Sequence, residues 1–387
     1  MKPKIHIVTF QRPNPPTYGG VIDMYYRIKA LHDLGLYVIV HTFAYGDRTS
    51  QSCDLDAIAD EIHYYERYVG LTSHFHHLPY IVYSRRNKHL LTNLLKDNAP
   101  ILFEGIHCTY YLKHPKLEHR YKIVRVHNIE RYYYRSLAKA KGKITDRIYF
   151  FIESLKLKRY EPVLRFADLT ASLNEKETDY FKTVCNVKHI KFIPAFFDEN
   201  PLPVSASGDF ILYHGNLNVA ENVEAAIWIL DNIAANLPGY RFVIAGYNPP
   251  THLQQHARLF KNVKIINSPS NAEMDDLIDK ARIHLLITFQ ATGVKLKLLN
   301  VLYRNGKVIA NSLMVSGSKL ENHCIIANHP KEICDKITEV FNTDCYPYHM
   351  PAAYHSSREK AISLIKDIPY YKAFLTSKGV PLNNPTS

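Results

Sequence analysis

Residues 4–43 read KIHIVTFQRPNPPTYGGVIDMYYRIKALHDLGLYVIVHTF, and the spacing of their apolar side chains changes twice. Residues 4–10 form an apolar, β-branched run that suits a buried strand. Pro15-Pro16-Thr17-Tyr18-Gly19-Gly20 breaks that run, and residues 21–36 then place apolar side chains at helical spacing, closing near Gly35. Residues 37–43 return to a strand pattern. A strand, a crossing helix and a second strand in so short a stretch make the βαβ unit of a parallel sheet covered on both faces.

The alternation continues on both sides of a break. Before it, residues 62–66, 101–104, 121–127 and 169–173 read as strands, with helical patterns at 88–95 and 144–167. After it, strand-like runs at 210–213, 241–245, 263–266, 283–288, 308–310 and 324–327 are separated by helical runs at 223–234, 253–260, 274–281 and 296–303. Ser270-Asn271-Ala272-Glu273 has the form of a capping box opening one of these helices. Residues 194–209, rich in proline and small polar side chains, carry neither period and serve as the linker. A final helix over 356–375 follows a proline-containing loop at 346–352. The expected fold is therefore α/β, with two doubly wound, Rossmann-like parallel-sheet domains facing across a cleft. Their bounds are 1–196, joined by the helix at about 356–376, and 207–352. Ligands of such sheets bind beyond the carboxyl ends of the strands.

Bulk properties agree with two folded domains. The chain has 387 residues, 46% apolar and 22% charged, which excludes a disordered polymer. Its 28 tyrosines against one tryptophan supply packing and stacking surface. Cys53, Cys108, Cys185, Cys324, Cys334 and Cys345 are dispersed, which suits reduced thiols better than a disulfide framework or a zinc site. No signal-peptide pattern opens the sequence, and no run approaches about 18 uninterrupted apolar residues, so a cytoplasmic protein is expected. Of the formal charge of +12, +9 falls in the first 200 residues. Such a half suits phosphate-bearing or anionic partners, a membrane surface included. No nucleic-acid motif accompanies the charge, and nucleic acid is not an expected partner.

Three places carry candidate chemistry. Gly19 and Gly20 sit between the first strand and first helix, where backbone can approach an anion closely and helix N–H groups lack partners. A structural turn accounts for them equally well. Val124-Arg125-Val126-His127-Asn128-Ile129-Glu130 ends a strand in a polar cluster, so His127 is placed to bond a sugar hydroxyl or move a proton. The competing reading is a satisfied surface histidine, one of 21 in the chain. Ala291-Thr292-Gly293-Val294-Lys295-Leu296-Lys297-Leu298-Leu299-Asn300 turns from a strand into a helix. There Lys295 and Lys297 would meet a diphosphate leaving group, and Asn300 a ribose hydroxyl. A solvated helix start is the alternative.

Taken in order, these stretches resemble the GT-B glycosyltransferases of the family-4 type, in particular a bacterial group of surface-polysaccharide enzymes. The resemblance spans nearly the whole chain. It rests on Tyr18-Gly19-Gly20, Phe103-Glu104-Gly105-Ile106-His107, His127-Asn128-Ile129-Glu130, Tyr213-His214-Gly215-Asn216-Leu217, Ile244-Ala245-Gly246, and the stretch from Gly293 to Gly306-Lys307-Val308-Ile309. It implies transfer of a hexose-type sugar, as a mannosyltransferase does, from a GDP- or UDP-sugar to a glycan or lipid-linked glycan, with retention and without a metal cofactor. It further implies that His127 contacts the transferred sugar. Gly19, Gly20, Gly215, Asn216, Gly293, Lys295, Lys297 and Asn300 would line the donor, while Glu104, His107, Asn128 and Glu130 lie on the acceptor side. The final helix would cross back onto the first domain.

The sequence also departs from that pattern. The family has glutamates flanking the Gly293 turn, where this chain has Gln290-Ala291-Thr292 and Asn300. A neutral asparagine bonds ribose less strongly than a carboxylate. Basic residues that follow the first strand of the second domain are replaced by Gly215-Asn216-Leu217-Asn218-Val219-Ala220-Glu221-Asn222. Two alternatives follow: a non-catalytic GT-B protein that binds a sugar nucleotide or a partner, and a sugar-nucleotide epimerase, which needs the carboxylates of Glu104 and Glu130. Asp54-Leu55-Asp56 is read as the opening of a short helix and His74-Phe75-His76-His77 as a loop, not as metal sites. Residues 147–165 mix apolar and basic side chains. They form a domain helix that also suits peripheral contact with an anionic membrane at the inner face of the cytoplasmic membrane.

Overall fold

The computed structural model describes residues 2–14, 19–43, 55–70, 73–139, 143–197, 208–290, 295–304, 306–342 and 356–381. It divides into two compact units, one of residues 1–197 and 356–387, the other essentially 198–291 and 295–355.

The first unit is built on seven strands: β1 (Lys4–Thr9), β2 (Tyr37–Phe43), β3 (Glu61–Tyr65), β4 (Ile101–Glu104), β5 (Lys122–Arg125), β6 (Leu169–Ser172) and β7 (Ile190–Phe192). They lie in the order β3-β2-β1-β4-β5-β6-β7, every neighbouring pair parallel. Helices α1 (Gly19–Asp33), α2 (Tyr80–Tyr83), α3 (Lys88–Leu94), α4 (Glu130–Lys139), α5 (Ile144–Tyr160) and α6 (Glu175–Thr183) connect them. On one face Ile5, Ile7, Val38, Val40, Leu102 and Ile123 pack with Ile28 and Leu31 of α1. On the other, Val8, Phe43, Phe103 and Val124 pack with Leu90, Leu94, Leu157 and Phe181. Alternate residues of one strand thus feed opposite cores, which explains strands that read as continuous apolar runs. Strand order reverses between β1 and β4, which places a switch point at their carboxyl ends.

The second unit repeats the plan with β8 (Phe210–His214), β9 (Arg241–Gly246), β10 (Val263–Asn267), β11 (Ile283–Leu286), β12 (Val308–Ala310) and β13 (Ile325–Ile326), ordered β10-β9-β8-β11-β12-β13 and parallel throughout. Its helices are α7 (Ala220–Asn232), α8 (Thr251–Ala257), α9 (Asn271–Lys280), α10 (Leu296–Tyr303), α11 (Ser312–Val315) and α12 (Pro330–Asn342). The capping box opens α9: the Ser270 side chain accepts from Glu273 N, and Glu273 accepts from Ser270 N. The switch point here lies between β8 and β11. Gly246, at the end of β9, approaches the turn after β8 so closely that an added Cβ would lie 1.8 Å from the Gly215 carbonyl oxygen.

The C-terminal segment returns to the first unit as two helices, not the single helix read from the sequence. α13 (Ser357–Ile365) and α14 (Lys372–Ser377) are separated by a 3₁₀ turn at Pro369–Tyr371. Pro369 has no amide hydrogen to donate and disfavours helical geometry at Ile368, which ends the first helix. Leu364, Ile365, Ile368 and Leu375 join the core beneath Ile5 and Ile7. Tyr371 is fully buried, and its hydroxyl donates to the Lys4 carbonyl at 2.9 Å. The helix at 144–167 likewise stops at Tyr160 and tightens into a 3₁₀ stretch, Glu161–Phe166, that has Pro162 in its first turn. Leu55 to Ile58 form a turn, not a helix start, and Asp54 lies outside the described residues. Among the described residues no helix is long and apolar enough to cross a membrane.

Leu364 is 1% exposed and has no polar role. Leu364→Ala should therefore lower unfolding free energy by about 2–5 kcal/mol, the cost of a poorly collapsing cavity. Urea denaturation reads this directly, and a loss near zero would mean that α13 adds nothing to the core.

Candidate functional site

At the carboxyl edge of the first sheet, four charged side chains are buried together. Asp23 and Arg27 lie one turn apart on α1, Glu104 ends β4, and Arg125 ends β5. None is more than 1% exposed. Arg27 Nε donates to Glu104 Oε1 at 2.9 Å, and its Nη1 to Asp23 Oδ2 at 2.6 Å. Arg125 bonds Asp23 at 3.2 and 3.3 Å and reaches the carbonyls of Ser172, Ile193 and Pro194. Asp23 also accepts from Phe196 N at 2.7 Å. Burial alone would raise both carboxyls. Arg125 and Arg27 outweigh it at Asp23, and Arg27 with His127 outweighs it at Glu104, so both are held below their ordinary values.

His127 is oriented by this network. It lies just past β5, 8% exposed, with Nε2 3.1 Å from Glu104 Oε2. Because Glu104 is an ionised acceptor, Nε2 carries the proton and donates. Nδ1 is buried 3.9 Å from Asp23 Oδ2, with no hydrogen-bond partner among the described residues. That edge faces the start of α1. A Cβ added at Gly20 would sit 3.6 Å from His127 Nδ1 and 3.4 Å from the Phe10 ring. Gly19 and Gly20 form the first turn of α1. His107 is half-buried against Phe10, ring centroids 5.0 Å apart, and burial holds its imidazole well below the usual value. Gly105 has φ +69°, and any Cβ there would lie 2.7 Å from His107 Nδ1.

The acceptor-side candidates separate under this geometry. Glu104 is sealed and saturated by Arg27 and His127, so it positions His127 and offers no free carboxylate. Glu130 is 6% exposed at the start of α4, where burial and the neighbouring Glu161 and Glu177 push it up to about 8. It belongs to that buried acidic group. Asn128 is half-buried.

The second sheet carries its own cluster. Gly215 and Asn216 form the turn after β8, and α7 begins four residues later. Lys295 caps α10; its Nζ is 2.9 Å from Glu221 Oε1, and the same oxygen accepts from the Thr288 hydroxyl. Lys297 Nζ lies 3.2 Å from Asn222 Oδ1 and 3.4 Å from the Tyr213 hydroxyl, 4.7 Å above that ring. Burial brings its ammonium down to about 7, with Glu221 opposing and Lys295 reinforcing. Asn222 also donates to the Asn216 carbonyl at 2.9 Å, which fixes the turn. Asn300 is half-buried and its Oδ1 accepts from Arg304 Nε at 3.0 Å. Gly293 lies outside the described residues. Among the described residues, no three His, Cys, Asp or Glu side chains converge as a metal site requires.

No protein-family model matches the chain. It is 26% identical over 349 residues to an uncharacterized 44.6 kDa protein of the cps region of Klebsiella pneumoniae, a match covering 84% of this chain and 87% of that one. Among solved structures it superposes on a glycosyltransferase from Rickettsia africae ESF-5 with TM-score 0.61 and 13% identity, over 97% and 99% of the two chains. The fold is that of the GT-B glycosyltransferases. S. aureus TarM, solved as a mutant in complex with fondaparinux, α-GlcNAc-glycerol and UDP, matches at TM-score 0.60 and 12% identity, over 98% and 99%.

The sequence reading assigned no role to Asp23, Arg27, Arg125, Glu221 or Tyr213. One signal was available for the first two: an acid and an arginine four apart on the helix that must cover the sheet. Arg27→Met would leave two buried carboxylates undercompensated and should cost about 3–5 kcal/mol. Adding Glu104→Gln should recover part of that loss, and urea denaturation of the three proteins measures both effects. The stabilisation from Asp23 and Glu104 is complete above about pH 4.5, the ordinary glutamate value, and drains away as pH falls through the lower folded-state values.

Proposed function

We propose that the chain is a glycosyltransferase that takes a hexose-type sugar from a UDP- or GDP-sugar and passes it to a glycan or lipid-linked glycan in surface-polysaccharide assembly. The observation that carries this reading is Lys297. On a GT-B fold, at the carboxyl edge of the second sheet, it is a desolvated cation whose partners among the described residues are the neutral Asn222 and Tyr213. A donor diphosphate is an anion of the charge and size such a lysine would neutralise as the leaving group departs. Gly215, Asn216, Lys295 and Asn300 are the other donor contacts in this reading. His127, held by Glu104 beside the first turn of α1, is assigned to the transferred sugar. Retention and the absence of a metal requirement are carried over from the family-4 resemblance. TarM bound to UDP and a relative from a cps region agree in kind with a UDP-sugar and a capsular glycan.

Peripheral contact with an anionic membrane belongs to the same proposal, because a lipid-linked acceptor would be met there. α4 and α5 pack together, and α5 exposes Ile144, Ile148, Phe151, Ile152 and Leu155 along one stripe, the first of them 65% exposed. Arg131, Arg135, Lys139, Arg147 and Lys158 line the grooves beside it. Apolar side chains ringed by cations suit the headgroup boundary of an anionic bilayer. A non-catalytic reading draws on Gln290 and Asn300, which replace the family glutamates. An epimerase is disfavoured because Glu104 is locked by Arg27.

Two measurements test the proposal. In thermal-shift titrations one nucleotide series should stabilise the protein, by roughly 2.7 kcal/mol at 100 times the dissociation constant, and Lys297→Ala should lose the shift. Silence across UDP, GDP and their sugars would turn the assignment to the non-catalytic reading. Since Lys297 is close to half-protonated near pH 7 before binding, affinity should fall from about pH 7 to about pH 9, by up to roughly tenfold per unit. Lys295, Glu221, Asn222, Tyr213 and His214 are the groups around it. In Lys297→Arg, which stays charged, that fall should vanish.

A further inference from the structure

We propose that Glu221 is an internal counter-anion of the donor site, a carboxylate that holds Lys295 until the diphosphate of an incoming nucleotide displaces it. This rests on the donor assignment above and adds a residue that sets how tightly, and by what competition, the nucleotide is held.

The placement of Glu221 is unusual for a helix-start acid. A glutamate in the first turn of a helix ordinarily faces solvent and bonds the helix's own amides. Glu221 instead turns its carboxylate to the start of α10, where one oxygen takes both the Lys295 ammonium, at 2.9 Å, and the Thr288 hydroxyl. The two charged side chains are only 15% and 17% exposed. An ammonium and a hydroxyl converging at a helix start are the donors a phosphate oxygen would use, and a carboxylate is a smaller anion with the same acceptor chemistry. Two lysines stand at this corner. The one beside Asn222 bonds no carboxylate, and the other is already answered from within the chain.

The pair is also anchored less firmly than a structural ion pair. Arg27 and Arg125 hold Asp23 and Glu104 through several bonds at full burial, whereas Glu221 meets one lysine and one hydroxyl near the surface. A diphosphate brings more charge and more oxygens to the same donors, and Glu221 yields the corner to it by swinging outward. Binding then releases an internal ion pair. Affinity is lower than two free lysines would give, and the penalty falls on charged nucleotides alone.

Binding of UDP, GDP and uridine to the full-length protein and to Glu221→Gln, by titration calorimetry, tests this. The variant should bind the nucleoside diphosphate that the wild type prefers roughly tenfold more tightly, the effect of removing one like charge at close range. Uridine, which carries no phosphate, should bind both proteins equally. In a Lys295→Ala background the gain from Glu221→Gln should shrink, because the lysine it frees is gone. Equal or weaker diphosphate binding by Glu221→Gln, in a protein whose wild type binds, would overturn the inference and leave the donor reading standing. Failure of both proteins to bind either diphosphate would remove the donor reading and this inference with it.

Discussion

Buried charge must be paired, and the first domain is organised around one place where that pairing is complete. Asp23, Arg27, Glu104 and Arg125 bring two carboxylates and two guanidiniums together out of water. Desolvating such ions costs several kcal/mol apiece, and only close geometry with full hydrogen bonding offsets it. The consequence is positional. α1 is fixed against β4 and β5, the backbone at Ile193, Pro194 and Phe196 is held to the same cluster, and His127 is anchored through its bond to Glu104. The cluster gives the fold a rigid carboxyl edge more than it gives it stability.

The second domain has the opposite character. Its cluster is partly exposed and incompletely matched: Lys297 rests on neutral groups, and Lys295 shares a single glutamate with a threonine. A fully satisfied network is expected where geometry must not change. One left with spare cationic capacity is expected where a ligand completes it. In the proposed reading, this contrast between two sheets of the same topology separates a positioning role from a binding role.

The fold was legible because parallel strands buried on both faces read as unbroken apolar runs, and helices with one covered face keep their period. Residues 37–43, 101–104, 296–303 and 308–310 match their elements to the residue. What escaped was short or charged. β7 is three residues of intermediate burial, α6 opens with Glu175 and Glu177, and Pro369 divides the last helix by a local backbone effect that the apolar period does not show. Within the candidate site, strand ends and glycine turns marked His127, Gly20, Gly215 and Lys297 as candidates. The partners of those residues come from elements far apart in sequence, as Glu221 and Lys295 do, 74 residues distant. No local pattern encodes such a pair.

The central claim is that a nucleoside diphosphate sugar binds the second domain at the turn after β8 and the start of α10. Hydrogen–deuterium exchange of the full-length protein, with and without saturating UDP or GDP, tests it most directly. The account predicts slowed exchange confined mainly to residues 215–222 and 295–300 with one of the two nucleotides. Protection elsewhere, with those two segments unchanged, would contradict it.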